Sequence, residues 1–98
     1  MSPIRVVLAD DHPVVRAGIR NLLEKVVDIE VVGEASTGQE ALNLVDNVHP
    51  DVLLLDMELP DIKGTEVAQR LQSSKSPVKI LALSAYDDGV YIRELLEL

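Results

Sequence analysis

The chain has 98 residues, of which 47% are hydrophobic and 27% charged, and this composition predicts one globular domain. Its net charge of −8 argues against direct binding to nucleic acid, because that affinity comes mainly from cations on phosphates. The absence of cysteine excludes disulfide and thiol chemistry. No apolar run is long enough for a signal peptide or a membrane span, so we expect a cytoplasmic protein.

The first 35 residues predict two strands and the helix between them. The β-branched run 4–9 favours a strand and ends at Asp10 and Asp11. Pro13 suits the first position of a helix, which an apolar stripe extends to about residue 26. A second strand is predicted at 29–35, with Gly33 as a weak point or bulge.

The second half continues the alternation. Thr37 and Glu40 have capping-box spacing and begin a helix that Pro50 ends. The remaining elements are strands at 52–55 and 78–83 and helices at 65–73 and 88–98, the last one capped by Asp87 or Asp88. Apolar strands alternating with helices predict an α/β fold with a doubly wound parallel sheet covered on both faces.

Polar residues follow three of the predicted strands. Asp10 and Asp11 end the first strand, Asp56 ends the third and Ser84 ends the fourth. Ligands of open parallel sheets bind at the carboxyl ends of the strands, so we expect these side chains to meet. Crowded carboxylates persist when a cation holds them, and oxygen ligands suit Mg²⁺. A carboxylate beside Mg²⁺ can act as a nucleophile and form an aspartyl phosphate.

Each of these polar residues could instead have a purely structural role. Asp11 has the position of a cap for the helix that starts at Pro13, and Ser84 that of an ordinary turn hydroxyl. His12 is expected to order its loop or to face solvent rather than to bind a metal. Arg16 and Arg20 are expected on the exposed side of the first helix.

Four segments together resemble the receiver domain of two-component response regulators, of the NarL/FixJ type. They are VVLADDHPVVRAGIRNLL at 6–23, VGEASTGQEAL at 32–42, PDVLLLDMELPDIKGTEV at 50–67 and VKILALSAYDD at 78–88. The resemblance implies a flavodoxin-like sheet in the order 2-1-3-4. It also implies a cytoplasmic signalling protein whose partner is a sensor histidine kinase.

The resemblance assigns a role to each site residue. Asp56 matches the phospho-acceptor, and Asp10 and Asp11 match the acidic pair that holds Mg²⁺. The backbone carbonyl of Glu58 matches a further metal ligand, and Ser84 matches the hydroxyl that turns toward the phosphate.

The family pattern also implies a fifth strand that ends in a Lys pairing with the phosphate, and neither is found in residues 1–98. We therefore expect a C-terminally incomplete receiver domain without the DNA-binding domain of its parent protein. The missing strand would leave strand 78–83 as an open edge, which is a template for association. A homodimer through strand 78–83 and helix 88–98 is the expectation.

Three function classes compete. The first is a phospho-accepting signalling module that is not an enzyme in the usual sense. The second is a phosphohydrolase with an Asp nucleophile, for which Glu58 has the spacing of a second acid, although 98 residues leave no room for a substrate-covering cap. The third is an assembly module that has lost phosphorylation.

Overall fold

Five strands and three helices make up the computed structural model, which describes residues 2–86 and 89–94. In chain order the elements are β1 (Ile4–Ala9), α1 (Pro13–Glu24), β2 (Ile29–Ala35), α2 (Gly38–Val48), β3 (Val52–Asp56), α3 (Gly64–Ser73), β4 (Lys79–Tyr86) and β5 (Gly89–Glu94). The bounds of β1 and β2 are those predicted from the sequence. The other predicted elements up to β4 are confirmed, with ends that move by a few residues.

The strands form one sheet in the order β2-β1-β3-β4-β5. The first four are parallel, which confirms the predicted α/β fold with the order 2-1-3-4. The fifth runs antiparallel to β4. The strand order reverses at β1, which pairs with β2 on one side and with β3 on the other.

Each face of the sheet has its own apolar core. Val7 and Ala9 of β1 pack with residues of α2 and α3, among them Val45 and Val67. The alternate residues of β1 belong to the opposite core, against which α1 packs Ile19 and Leu23. Successive strand residues point to opposite faces, so a sheet covered on both sides needs continuous apolar runs. This explains the uninterrupted hydrophobic sequence of the central strands.

The predicted helix 88–98 is wrong for its first part, because residues Gly89–Glu94 form β5. This strand pairs with residues 81–86 of β4, so the edge expected to be open is covered by the chain itself. The sequence GVYIRE is rich in β-branched and aromatic residues, and an unpaired β4 offers it a row of main-chain donors and acceptors. The predicted caps Asp87 and Asp88 and residues 95–98 lie outside the described residues.

The irregularity predicted at Gly33 is confirmed. The pairing of β1 with β2 shifts register between Val6 and Val7, whose partners are Val31 and Gly33. A Cβ at Gly33 would lie 3.2 Å from the side chain of Leu44, so α2 approaches β2 closely at this point.

Asp61 ties the loop after β3 to the start of α2. Its two carboxylate oxygens accept hydrogen bonds from the main-chain N–H groups of Gly38, at 2.7 Å, and Gln39, at 3.0 Å. These groups are among the unpaired donors at a helix N-terminus, which a carboxylate satisfies well. The bond from Gly38 is the main reason that the pKa of Asp61 is lowered from its ordinary value.

Gly64 lets the same loop close on the end of β3. Its N–H donates to the carbonyl of Met57 at 3.0 Å. A Cβ at this glycine would lie 2.7 Å from the Cα of Met57 and 2.6 Å from its Sδ. Because backbone cannot move aside as a flexible side chain can, this position requires glycine.

We expect Asp61→Asn to lower the unfolding midpoint in urea at neutral pH, because an amide offers one acceptor oxygen where the carboxylate offers two. The folded-state pKa of Asp61 is lowered, so its contribution is present above the unfolded pKa of about 3.9 and is lost as the pH falls through the folded value. The difference from wild type should therefore shrink in acid. Asp46→Asn, on the exposed face of α2, is the control. A pH-independent difference would contradict the assignment.

Two glycine substitutions should change stability in opposite directions. Gly64→Ala should destabilise the fold because its Cβ meets the Met57 backbone. Gly18→Ala, within α1 and with no atom within 4 Å of the added Cβ, should stabilise the fold by about 0.5–1 kcal/mol, the difference in helix propensity. Urea unfolding of both variants measures this, and a neutral Gly64→Ala would show that the loop can shift.

Candidate functional site

The site begins where β1 and β3 end. Ala9 and Leu55 are partners in the parallel pairing, so the residues that follow them, Asp10 and Asp56, come out side by side at the carboxyl edge of the sheet. This edge lies beside the reversal of strand order at β1, where open α/β sheets bind their ligands.

Four side chains meet at this edge. One carboxylate oxygen from each of Asp10, Asp11 and Asp56 and one ring nitrogen of His12 lie within 4.8 Å of one another. The structure thus brings together all three predicted acids, from two strand ends that are more than forty residues apart in sequence. We call these four residues the acidic cluster.

The two neighbouring acids differ in how their oxygens are satisfied. Asp10 is buried, and its Oδ1 accepts the main-chain N–H of His12 at 2.8 Å. Oδ1 of Asp11 is shielded from solvent and accepts no well-aligned hydrogen bond within the described part of the chain, although Nδ1 of His12 lies 3.0 Å from it. Asp11 does not cap α1 either, since the N-cap position is His12 and no side chain bonds there. A shielded carboxylate oxygen without a well-aligned hydrogen bond is costly, and a cation would offset that cost.

Asp56 is mostly buried, with 14% of its side chain exposed. Its Oδ1 accepts the main-chain N–H of Glu58 at 2.9 Å, which fixes the plane of the carboxylate. Burial raises its pKa above the ordinary value, and the charges of Asp10 and Asp11 raise it further, against the opposing effect of the Glu58 N–H.

His12 lies closer to the acids than the sequence predicted. Its Nδ1 is 3.1 Å from Asp10, 3.0 Å from Asp11 and 3.7 Å from Asp56, while 63% of the side chain stays exposed. The expected ordering of the loop is present in the bond from its main-chain N–H to Asp10. The hydrogen bond with Asp10 and the charge of Asp11 raise the pKa of His12.

The other two predicted site residues stand near the acidic cluster in the backbone. Asp56 pairs with Leu83, so Ser84 is the first residue of β4 beyond the end of β3. The strand continues to Tyr86, past its predicted end at 83. The hydroxyl of Ser84 lies outside the described part of the structure. Glu58 follows Asp56 in the loop, and a metal-binding role for its backbone carbonyl stays a prediction.

Arg16 is a residue whose position the sequence analysis missed. It was expected on the exposed face of α1, yet only 23% of its side chain is exposed and its guanidinium donates to the backbone carbonyl of Asp10 at 2.7 Å. Glu34 of β2 pairs with it at 3.2 Å. An acid inside an otherwise apolar strand requires a partner, and that was the available signal.

Chemically, the acidic cluster combines a concentration of negative charge with one shielded oxygen that accepts no well-aligned hydrogen bond in the described structure. Asp10, Asp11 and Asp56 offer the oxygen ligands that a hard divalent cation prefers. The sheet also holds the carboxylate of Asp56 at the edge of this cluster, where a reacting group can approach it.

Comparison with known proteins agrees with this arrangement. Residues 6–98 match the family described as the response regulator receiver domain. The chain is 35% identical over 96 residues to the transcriptional regulatory protein DegU of Brevibacillus brevis, covering 98% of this chain and 41% of DegU. It is 44% identical over 86 residues to the response regulator UvrY of Escherichia coli K12, covering 88% of this chain and 39% of UvrY.

Solved structures give the same result. The signal receiver domain of a response regulator NarL from Mycobacterium tuberculosis superposes with a TM-score of 0.85 at 40% identity, covering 89% of this chain and 70% of that one. The chain spans well under half the length of the curated relatives DegU and UvrY. On the matched family, the shared fold and these relatives, the chain belongs to the receiver domains of two-component response regulators, which are signalling domains.

Proposed function

We propose that this chain is a phospho-accepting receiver domain that takes a phosphoryl group on Asp56 from the phosphohistidine of a sensor kinase. The observation that carries the proposal is the convergence of the Asp56 carboxylate with those of Asp10 and Asp11 at the carboxyl edge of the sheet. Receiver domains of response regulators interact with sensor histidine kinases, so family membership supplies the donor.

The residues at this edge fit Mg²⁺. Asp10, Asp11 and Asp56 would hold it, together with the backbone carbonyl of Glu58. The shielded Oδ1 of Asp11 supports this, because it accepts no well-aligned hydrogen bond in the described structure and a cation would offset the cost of burying it. When bound, Mg²⁺ would offset the repulsion among the acids and neutralise charge on the incoming phosphoryl group.

The chemistry at Asp56 is a transfer between two nucleophiles. A carboxylate oxygen of Asp56 forms a bond to phosphorus while the phosphorus–nitrogen bond of the donor histidine breaks, and its electron pair returns to the imidazole ring. The bond from the Glu58 N–H orients the carboxylate. The product is a modified copy of the chain itself, so the domain is not an enzyme in the usual sense.

The conformational response to phosphorylation would start at Ser84. A phosphoryl group adds about −1.5 to −2 charge and strong acceptor oxygens. In this proposal the Ser84 hydroxyl donates to the phosphate and pulls on the end of β4. Since β5 pairs with residues 81–86, it would move with that end.

The parent protein is proposed to regulate transcription, as the name of DegU states for that relative. In this reading residues 1–98 are the receiver part and DNA binding belongs to another part of the parent, which agrees with the net charge of −8 on this chain. Among the described residues no helix is long and apolar enough to cross a membrane. A cytoplasmic location is proposed from the family alone.

A homodimer stays a prediction, but its expected route changes. The main-chain groups of β4 from Leu81 to Tyr86 are paired with β5, so they are not open to a second copy.

Neither of the two competing functions gains support. Family membership favours a receiver over a phosphohydrolase, and the comparisons give no support to an assembly module that has lost phosphorylation.

We expect the chain to gain one phosphoryl group when it is incubated with Mg²⁺ and a small acyl phosphate, and we expect Asp56→Asn to gain none. Intact-mass spectrometry measures both, and lability to hydroxylamine identifies an acyl phosphate. The control is Asp46→Asn, which changes an exposed carboxylate of α2 and should accept the group as wild type does. Modification of Asp56→Asn to the same extent would place the acceptor elsewhere, and a folded wild type that gains nothing would contradict the proposal.

The Asp11→Asn variant should distinguish the effect of charge repulsion on stability from the contribution of Asp11 to Mg²⁺ binding. Without Mg²⁺ the variant should melt above wild type, since one of three crowded charges is removed. Its Mg²⁺ affinity should fall by at least about tenfold, because even outer-shell changes cost that much. Wild type should gain about 2.7 kcal/mol at 100 times its Kd.

Thermal unfolding with and without Mg²⁺ measures both effects of Asp11→Asn. Asp28→Asn, in the exposed turn before β2, is the matched charge control and should keep the wild-type shift. A full Mg²⁺ shift in Asp11→Asn would remove this residue from the metal site.

A further inference from the structure

The peptide that joins Asp10 to Asp11 carries both acids of the pair, so its orientation sets where their carboxylates point. Residue Asp10 is fixed from two sides. Its N–H donates to the carbonyl of Ala35 at 3.0 Å, and its carbonyl oxygen accepts Nη1 of Arg16 at 2.7 Å. The first bond continues the pairing of β1 with β2, and the second comes from the side chain of α1.

Arg16 is itself held in place. Its Nε lies 3.2 Å from Oε1 of Glu34, whose other oxygen pairs with Arg20. Arg20 also bonds Glu24 at 3.1 Å. The two arginines and two glutamates balance in charge, and both Arg16 and Glu34 are mostly buried. A planar guanidinium with fixed donors is suited to hold a carbonyl and a carboxylate at once.

We propose that Arg16, oriented by Glu34, is a positioning residue that holds the Asp10–Asp11 peptide in the conformation that binds the divalent cation. The inference rests on the proposed function, because it concerns the same site. Without the hydrogen bond from Arg16 to the Asp10 carbonyl, repulsion among the three acids would turn the Asp11 carboxylate away from the acidic cluster. Oδ1 of Asp11 lies 3.0 Å from Nδ1 of His12 but accepts no well-aligned hydrogen bond in the described structure, so the orientation of the Asp10–Asp11 peptide helps to keep this carboxylate in the acidic cluster.

Positioning and electrostatics make opposite predictions for Arg16. A positive charge near a cation site weakens cation binding, so its simple removal would tighten Mg²⁺ binding. If Arg16 positions the acids, its removal weakens binding instead, by about 10- to 100-fold, as for other groups that orient metal ligands. The sign of the change therefore distinguishes the two roles.

The test is a calorimetric Mg²⁺ titration of the folded 98-residue chain and three variants. Arg16→Met keeps an unbranched apolar stem without donors, and its affinity should fall by about 10- to 100-fold. Arg16→Lys keeps a donor for the Asp10 carbonyl and should recover much of the loss. Arg20→Met removes the same charge from the same helix and one of the two arginine partners of Glu34, but residue 20 does not contact Asp10, so the affinity of this variant should equal that of wild type or be slightly tighter.

Three results would overturn the inference: unchanged or tighter binding in Arg16→Met, equal losses in Arg16→Met and Arg20→Met, or no recovery in Arg16→Lys. If Arg16→Met does not fold, Glu34→Gln decides, since it loosens Arg16 without contacting Asp10. Its affinity should then fall, and wild-type affinity would overturn the proposal. A wild type that binds no Mg²⁺ would instead refute the proposed function.

Discussion

Repulsion among three carboxylates is the constraint around which this end of the molecule is built. Pairing of Ala9 with Leu55 forces Asp10 and Asp56 into proximity, and Asp11 follows directly. Neither strand can withdraw, because both are central in the sheet and packed on both faces. The free energy of burying those strands therefore offsets the cost of crowding the charges. A bound cation would reduce that cost, so cation binding at the proposed site and the stability of the fold are linked.

The loops around the acidic cluster are held by donors rather than by apolar packing alone. The Glu58 N–H holds Asp56, and Arg16 holds the carbonyl of Asp10. Farther out, Asp61 ties the loop after β3 to the N-terminus of α2, and Gly64 lets that loop close. Such polar contacts are directional, so they fix the orientation of carboxylates as well as their distance. Precise orientation is what metal binding and phosphoryl transfer require.

The β5 edge of the sheet shows what local sequence patterns cannot predict. Residues 88–98 carry apolar spacing that favours a helix, yet Gly89–Glu94 pairs with β4. A free strand edge next to a segment with β-branched and aromatic residues is a long-range condition that a periodicity count cannot include. The same pairing covers the edge on which the expected dimer depended.

The sequence by itself determined the α/β fold with parallel strands and the identity of the three acids at strand ends, while the strand order 2-1-3-4 was implied by the resemblance to receiver domains. The fold class and the acids follow from local patterns, namely continuous apolar runs and polar residues where those runs end. Such patterns can be recognised without knowledge of distant contacts. Only the tertiary structure decided that Arg16, paired with Glu34, holds the Asp10 carbonyl, that His12 lies close to Asp56 as well as to its neighbours, and that β5 covers β4. Each of these is a contact between residues on different elements, and its geometry exists only once the chain has packed.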